Sequence, residues 1–295
     1  MKITRFCPAK INLFLEITGK RPNGYHELAT LFAKINVGDH LTVCAEPSLQ
    51  THISLTLTGP IGKMLRADES NLVCRAARGF LEHYGLTARV DMILDKHVPT
   101  GAGLGGGSSD AAGTLLALCE IFNKNKQELM TLAAKLGADV PLFMFEDTFL
   151  KGEGIGEKLT PVTAAGPLPW LVLVYPNTVV PTSQIFNRAH LATAEKINMH
   201  VSQLNQLITA LSHSQSLTEW KHLLFNRLEE YVVPFTPSVE KALADLSTFP
   251  GAAVRMSGSG STVFALVDTK ENAQKLADRV RHPQRRIFLT SFYTK

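Results

Sequence analysis

The stretch "VPTGAGLGGGSSDAAGTLLALCEIF", residues 98–122, decides how the whole chain reads. Glycine stands at 101, 103, 105, 106 and 107, and the sequence then passes directly into an alanine- and leucine-rich helical pattern with Ser108, Ser109 and Asp110 at its start. Glycine lets the main chain take positive φ and lets a ligand approach backbone N–H groups without a Cβ in the way. A helix start adds unsatisfied N–H groups at the positive end of the helix dipole. The segment before the glycines, "ARVDMILDK" at 88–96, has strand patterning. Strand, glycine loop and helix in that order form a phosphate cradle, whereas a flexible connector has no need of so regular a continuation.

Other phosphate-binding patterns fit less well. "GAGLGG" formally matches G-x-G-x-x-G and Glu120 follows at about the spacing of a dinucleotide-binding acid, but that acid belongs at the tip of a second strand, and Glu120 falls inside the helical pattern "LLALCEIF". The P-loop's Gly-Lys-Ser/Thr is missing, and no H-R-D or D-F-G follows as in protein kinases.

Working outward, "INLFLEI" at 11–17 alternates, "KRPNGYH" at 20–26 carries turn chemistry, and "ELATLFAKI" at 27–35 is extended, so the chain opens with a hairpin. "DHLTVCA" and "HISLTLT" predict further strands, and "SNLVCRAARGFLEHYG" predicts a helix with Ser70 as N-cap and Gly85 as stop. Helices are expected over 108–123 and 126–136, with a turn at "KGEGIGEKL". At 295 residues there is room for about two domains, and "TPVTAAGPLP", near 160–168, marks their junction. Beyond it "WLVLVY", "AAVRM", "STVFALV" and "RIFLTSFY" read as strands, with helical patterns in "VSQLNQLITALS", "SVEKALADL" and "NAQKLADRVR" between them.

Composition narrows the classes. Hydrophobic residues at 45% and charged residues at 19% describe a folded globular chain. A net charge of +4, spread along the length, suits an anionic small molecule rather than nucleic acid, which asks for a basic stripe interleaved with aromatics. Cys7, Cys44, Cys74 and Cys119 are widely spaced, with no C-x-x-C and no H-E-x-x-H, and read as buried small hydrophobes rather than a disulfide framework or zinc site. Lys10, Asn12 and Glu16 interrupt the first apolar stretch and no later run reaches spanning length, so a cytoplasmic protein with no membrane partner is expected.

"PTGAGLGGGSSDAA" resembles the central motif of the GHMP small-molecule kinases, which act on galactose, homoserine, mevalonate and phosphomevalonate. "PAKINLFLEI" at 8–17 resembles that family's first motif and "MSGSGSTVFAL" at 256–266 its third. The resemblance implies an α+β, two-domain GHMP kinase fold: an N-terminal ribosomal-protein-like α/β ATP-binding domain over 1–160 and a ferredoxin-like α+β domain over 161–295. It implies ATP held by Pro99, Thr100, Gly101, Ala102, Gly103, Leu104, Gly105, Gly106, Gly107, Ser108 and Ser109, with Lys96 meeting nucleotide or phosphates or else standing solvated. Magnesium would accompany ATP, although no acidic cluster names a protein ligand for it.

"KINLFLEITGKRPNGYHELATLF" at 10–32 and "LGADVPLF" at 136–143 resemble the branch of the family whose acceptor is a cytidine diphosphate sugar alcohol, phosphorylated on its 2-hydroxyl, and argue against homoserine or mevalonate as acceptor. That resemblance makes Asp139 the base and Lys10 its charged neighbour. Residue chemistry alone favours Asp139 as the N-cap of a short helix before Val140 and Pro141, a reading the resemblance reverses, and would let Lys10 stand exposed on a strand. Alternation puts Asn12 on the face of Lys10. Tyr25, His26, Phe32 and Phe186 match the cytidine pocket, rings against the base with His26 on its polar edge. Asp110 is expected to cap the helix start and point away from phosphates.

Overall fold

The alternating segment 11–17 is the centre of a much longer strand. In the computed structural model, which describes residues 1–294, β1 runs Lys2–Lys20 and β2 runs His26–Pro47. Between them Arg21 N–H donates to Tyr25 O at 2.7 Å and Gly24 N–H to Arg21 O at 2.9 Å, which closes the turn that Pro-Asn-Gly announces. These two strands interleave the chain into two compact units. The first comprises Met1–Ala9, Val37–Thr100 and Gly105–Glu146; the second comprises Lys10–Asn36, Gly101–Leu104 and everything from Asp147 onward. β1 and β2 each supply residues to both units.

In the first unit β3 (His52–Thr58) pairs parallel with β4 (Ala88–Asp95), which pairs antiparallel with the end of β2, His40 opposite Asp95 through Pro47 opposite Ala88. Two helices, Leu72–Tyr84 and Gly106–Ile121, bury alanine-rich faces in this unit. Asn71, not Ser70, caps the first of them, accepting from Val73 N–H at 3.0 Å, while the Ser70 hydroxyl turns back to Asp68. An Asx side-chain oxygen two residues upstream of the donor N–H makes the cap, which the neighbouring serine had concealed. Gly85 ends the helix in the left-handed region, as expected. The 126–136 segment splits into a 3-10 turn, Lys126–Leu129, and a helix, Met130–Leu136.

In the second unit β5 (Phe149–Glu153) pairs antiparallel with β2 at Thr30–Ala33 and with β6 (Lys158–Val162), forming the hairpin around "KGEGIGEKL". β7 (Trp170–Tyr175) opens a separate sheet, and β8 (Phe225–Asn226) pairs parallel with β1 at Phe14 and Leu15. β9 (Ala253–Met256), β10 (Val263–Val267) and β11 (Arg286–Thr290) complete the separate sheet in the antiparallel order β11-β7-β10-β9. Fourth, first, third, second is the ferredoxin-like order, with helices Pro237–Ser247 and Lys270–Arg279 packed together on one face of the sheet. Val172, Val174, Ala242, Leu246, Ala265 and Leu276 belong to its buried core.

Candidate active site

The helix after the glycines begins at Gly106, two residues earlier than its serines suggest, and its N-cap is Gly105 at φ +69° with no side chain to close it. The first backbone bond into the helix is Ser109 N–H to Gly105 O at 3.0 Å. The N–H groups of Gly106, Gly107 and Ser108 are therefore the unsatisfied donors of an α-helix start, aimed along its positive end. Residues 101–104 are fixed in the second unit instead. Thr262 N–H donates to Ala102 O at 3.2 Å, Ser257 Oγ to Gly103 O at 3.0 Å, and Lys10 N–H to Leu104 O at 2.9 Å. A Cβ on Gly103 would stand 2.3 Å from Ser257 O, so this position is glycine because another backbone runs against it. The third motif, legible only as a second glycine–serine loop, is the clamp on the first.

Lys10 and Asn12 do share a face and meet: Lys10 Nζ donates to Asn12 Oδ1 at 2.8 Å, and Asn12 Nδ2 donates to Thr30 Oγ1 at 2.9 Å. Both are buried, so Lys10 is no exposed strand lysine, and its ammonium lies 5.6 Å from the centre of the Phe32 ring. A Cβ on Gly258 would lie 3.2 Å from both Lys10 Nζ and Asn12 Oδ1, which brings the third motif against this pair.

The expected aromatic set divides. His26 and Phe186 face one another with ring centroids 5.5 Å apart, Phe32 is buried beside Lys10, and Tyr25 stands 58% exposed on the turn. Burial, with Lys20 nearby, pushes the His26 imidazole below its usual pKa. A neutral imidazole offers one donor and one acceptor edge. Thr182, at the start of the helix that carries Phe186, shares a 2.7 Å hydrogen bond with Ser259 of the third motif.

Asp139 occupies the N-cap position of the short helix Val140–Met144, yet its carboxylate makes no cap hydrogen bond. The capping role does not account for an acid here. Lys96 and Asp110 depart from expectation. Lys96 is not solvated: it is buried and donates to Asp39 and to Asp110. Asp110 caps nothing, because the helix has already run a full turn before it, and its buried carboxyl faces Lys96. Asp39 carried no signal in the sequence beyond its strand. Cys7, Cys74 and Cys119 are buried thiols, while Cys44 is half-buried. Among the described residues, no group of three or more His, Cys, Asp or Glu is placed to hold a metal ion, and no helix is long and apolar enough to cross a membrane.

Residues 71–147 match the GHMP kinases N terminal domain and residues 207–285 the GHMP kinases C terminal domain. The 4-diphosphocytidyl-2-C-methyl-D-erythritol kinase of Burkholderia multivorans is 39% identical over 274 residues, covering 91% of this chain and 86% of that protein. The chain belongs to the 4-diphosphocytidyl-2-C-methyl-D-erythritol kinase family. The kinase of the same name from Cereibacter sphaeroides is 38% identical over 283 residues, 94% of this chain and 95% of that one. A crystal structure of 4-(cytidine 5'-diphospho)-2C-methyl-D-erythritol kinase superposes with a TM-score of 0.76 at 31% identity, covering 99% of this chain and all of that one. As a GHMP kinase of this family the protein is an enzyme.

Proposed function

We propose that the protein transfers the γ-phosphoryl group of ATP to the 2-hydroxyl of 4-diphosphocytidyl-2-C-methyl-D-erythritol, a cytoplasmic step of the methylerythritol phosphate route to isoprenoid precursors. The observation that carries the reading is the uncapped helix start at Gly105–Ser108, whose three open N–H groups suit a triphosphate tail. Asp139 takes the proton of the acceptor hydroxyl as the bond to phosphorus forms, and the Lys10 ammonium balances the charge that gathers on the transferred group. Asn12 and Thr30 support this role by fixing the Lys10 side chain along its hydrogen-bonded row. His26 and Phe186 hold the cytosine, the ring of one against its face and the polar edge of the other toward its exocyclic groups, with Phe32 and Tyr25 completing the pocket. Magnesium enters with the ATP phosphates and neutralises part of their charge; no side chain is assigned to it. Residues 1–160 supply most of the nucleotide contacts in this reading and residues 161–295 the clamp on the loop.

The test incubates purified protein with ATP and magnesium and each acceptor in turn, following ADP release. Turnover is expected with the cytidylyl acceptor and not with homoserine or mevalonate. Asp139→Asn should lose at least about 100-fold in kcat while ATP binding survives. A fully active Asp139→Asn would remove Asp139 from the role of base.

A further inference from the structure

Below the start of the helix Gly106–Ile121, the first unit buries three charged side chains that the transfer step leaves unused. Asp39 Oδ1 accepts the backbone N–H of His97 at 2.5 Å and of Val98 at 2.9 Å, so one carboxylate pins both peptides by which the chain leaves β4. The same carboxylate takes a hydrogen bond from Lys96 Nζ through Oδ2. Lys96 then reaches Asp110 Oδ2 on the helix at 2.8 Å. Its ammonium passes so close under the loop that a Cβ on Gly106 would stand 2.9 Å from it. All three side chains are within 3% of complete burial. Two carboxylates share one ammonium, and Asp110 Oδ1 has no hydrogen-bond partner among the described residues.

We propose that Asp39, Lys96 and Asp110 form a positioning triad that sets the strand-to-helix turn of the phosphate loop and tunes nucleotide affinity through the charge it holds beneath the helix start. The proposal rests on the reading of Gly106–Ser109 as the phosphate site. A buried carboxylate oxygen with no donor favours the protonated acid. Burial pushes the Asp110 carboxyl up to about 7, with Asp39 adding to the rise and Lys96 opposing it. Burial would lower the Lys96 ammonium, but the two carboxylates outweigh that and hold it protonated. The titratable neighbours of the triad are Cys7 of β1, whose thiol is pushed well up by burial and by Asp110 and Asp39, and Asp95 and His97 on either side of Lys96, which pair with each other at 3.0 Å at the half-exposed end of β4; Arg5 lies further along β1. Cys7 therefore stays neutral near pH 7 and compensates nothing. As pH rises through 7 the triad passes from neutral to a net negative charge behind the N–H groups that face phosphate, and ATP should bind more weakly.

The experiment titrates MgATP calorimetrically into the full-length protein and into Asp110→Asn between pH 6 and pH 8. Taking the ratio of the two dissociation constants cancels the ionisation of ATP itself. The expected ratio, wild type over variant, rises about fivefold across that range. A ratio that stays constant overturns the proposal. Asp39→Ala, which strips the acceptor from both peptides, should raise KM for ATP at least about tenfold with kcat changed about twofold or less, and Asp39→Asn, which keeps one oxygen, should recover most of it. A lower melting temperature with KM for ATP unmoved would show a merely structural cluster and overturn it too. Should Asp39→Ala fail to fold, the ratio with Asp110→Asn decides alone. Wild-type protein that bound no MgATP at any pH would instead sink the phosphate-site reading beneath it.

Discussion

Each compact unit buries a cluster of charge, and the two are built on opposite plans. In the second unit Glu16, fully buried on β1, receives Arg227 Nε and Nη2 at 2.8 Å on its two oxygens, the Ile17 N–H at 2.8 Å on Oε1, and His200 Nδ1 against Oε2. Phe225 packs under both partners, 4.2 Å from the His200 ring and 5.1 Å from the Arg227 guanidinium. The side-chain hydrogen bond to Glu16 holds the guanidinium protonated well above its usual range. In the first unit the ratio is reversed, with two acids to one base and a carboxyl oxygen left without a partner. A carboxylate whose lone pairs are all used is a fixed joint. A carboxylate pair sharing one ammonium can change its charge near neutral pH, and burial puts the Asp110 carboxyl of the cluster under the phosphate loop in that range.

The comparison breaks first if the Glu16 cluster proves dispensable. Arg227→Met should cost about 3 to 5 kcal/mol, because it leaves an ionised carboxylate buried with only an imidazole and one peptide to face it. Thermal or denaturant unfolding measures this directly. A loss below about 1 kcal/mol would mean that Glu16 protonates freely in the variant and that the joint is no more fixed than its counterpart.

The second way to break it is through pH. Asp110 ionises near 3.8 when exposed and at about 7 when folded, so the folded chain retains a proton that the unfolded chain releases between those values. Stability contributed by that proton is present at low pH and is lost as pH rises through the interval, by about 2 kcal/mol between pH 5 and pH 7. Asp110→Asn should flatten that part of the stability curve and be the more stable protein at pH 8. An unchanged slope in the variant would place the proton elsewhere.

Much of this was readable in advance, and the unread part has a common cause. The strands, the glycine loop and the Lys10–Asn12 face follow from periodicities and turn residues that act over a few positions, and short-range signals survive in sequence. Glu16, His200 and Arg227 come together across 184 and 211 residues, where nothing local marks the pairing. The pairing of Lys96 with the carboxylate of Asp39, 57 residues earlier, likewise has no local signal. Asp110 was misjudged because the helix begins at Gly106, so that a residue suited to a cap falls in the second turn with its side chain inward. Ser257 and Gly103 show the same limit: the motif was visible, and the backbone it grips was not.

The smallest expected effect sharpens the comparison within the Glu16 cluster itself. Arg227 Nη1 also reaches Glu230 at 2.6 Å, the shortest of the guanidinium contacts, yet the Glu230 side chain is 56% exposed. Distance alone would rank this pair above the Glu16 bonds. Solvent exposure ranks it below, because water screens the attraction and already satisfies the carboxylate. Glu230→Gln should therefore cost less than about 1 kcal/mol and lose even that in 1 M salt, against the several kcal/mol of Arg227→Met. If Glu230→Gln were as damaging as Arg227→Met, the fixed character of the joint would come from the whole guanidinium network reaching the surface, and burial of Glu16 would no longer be what separates the two clusters.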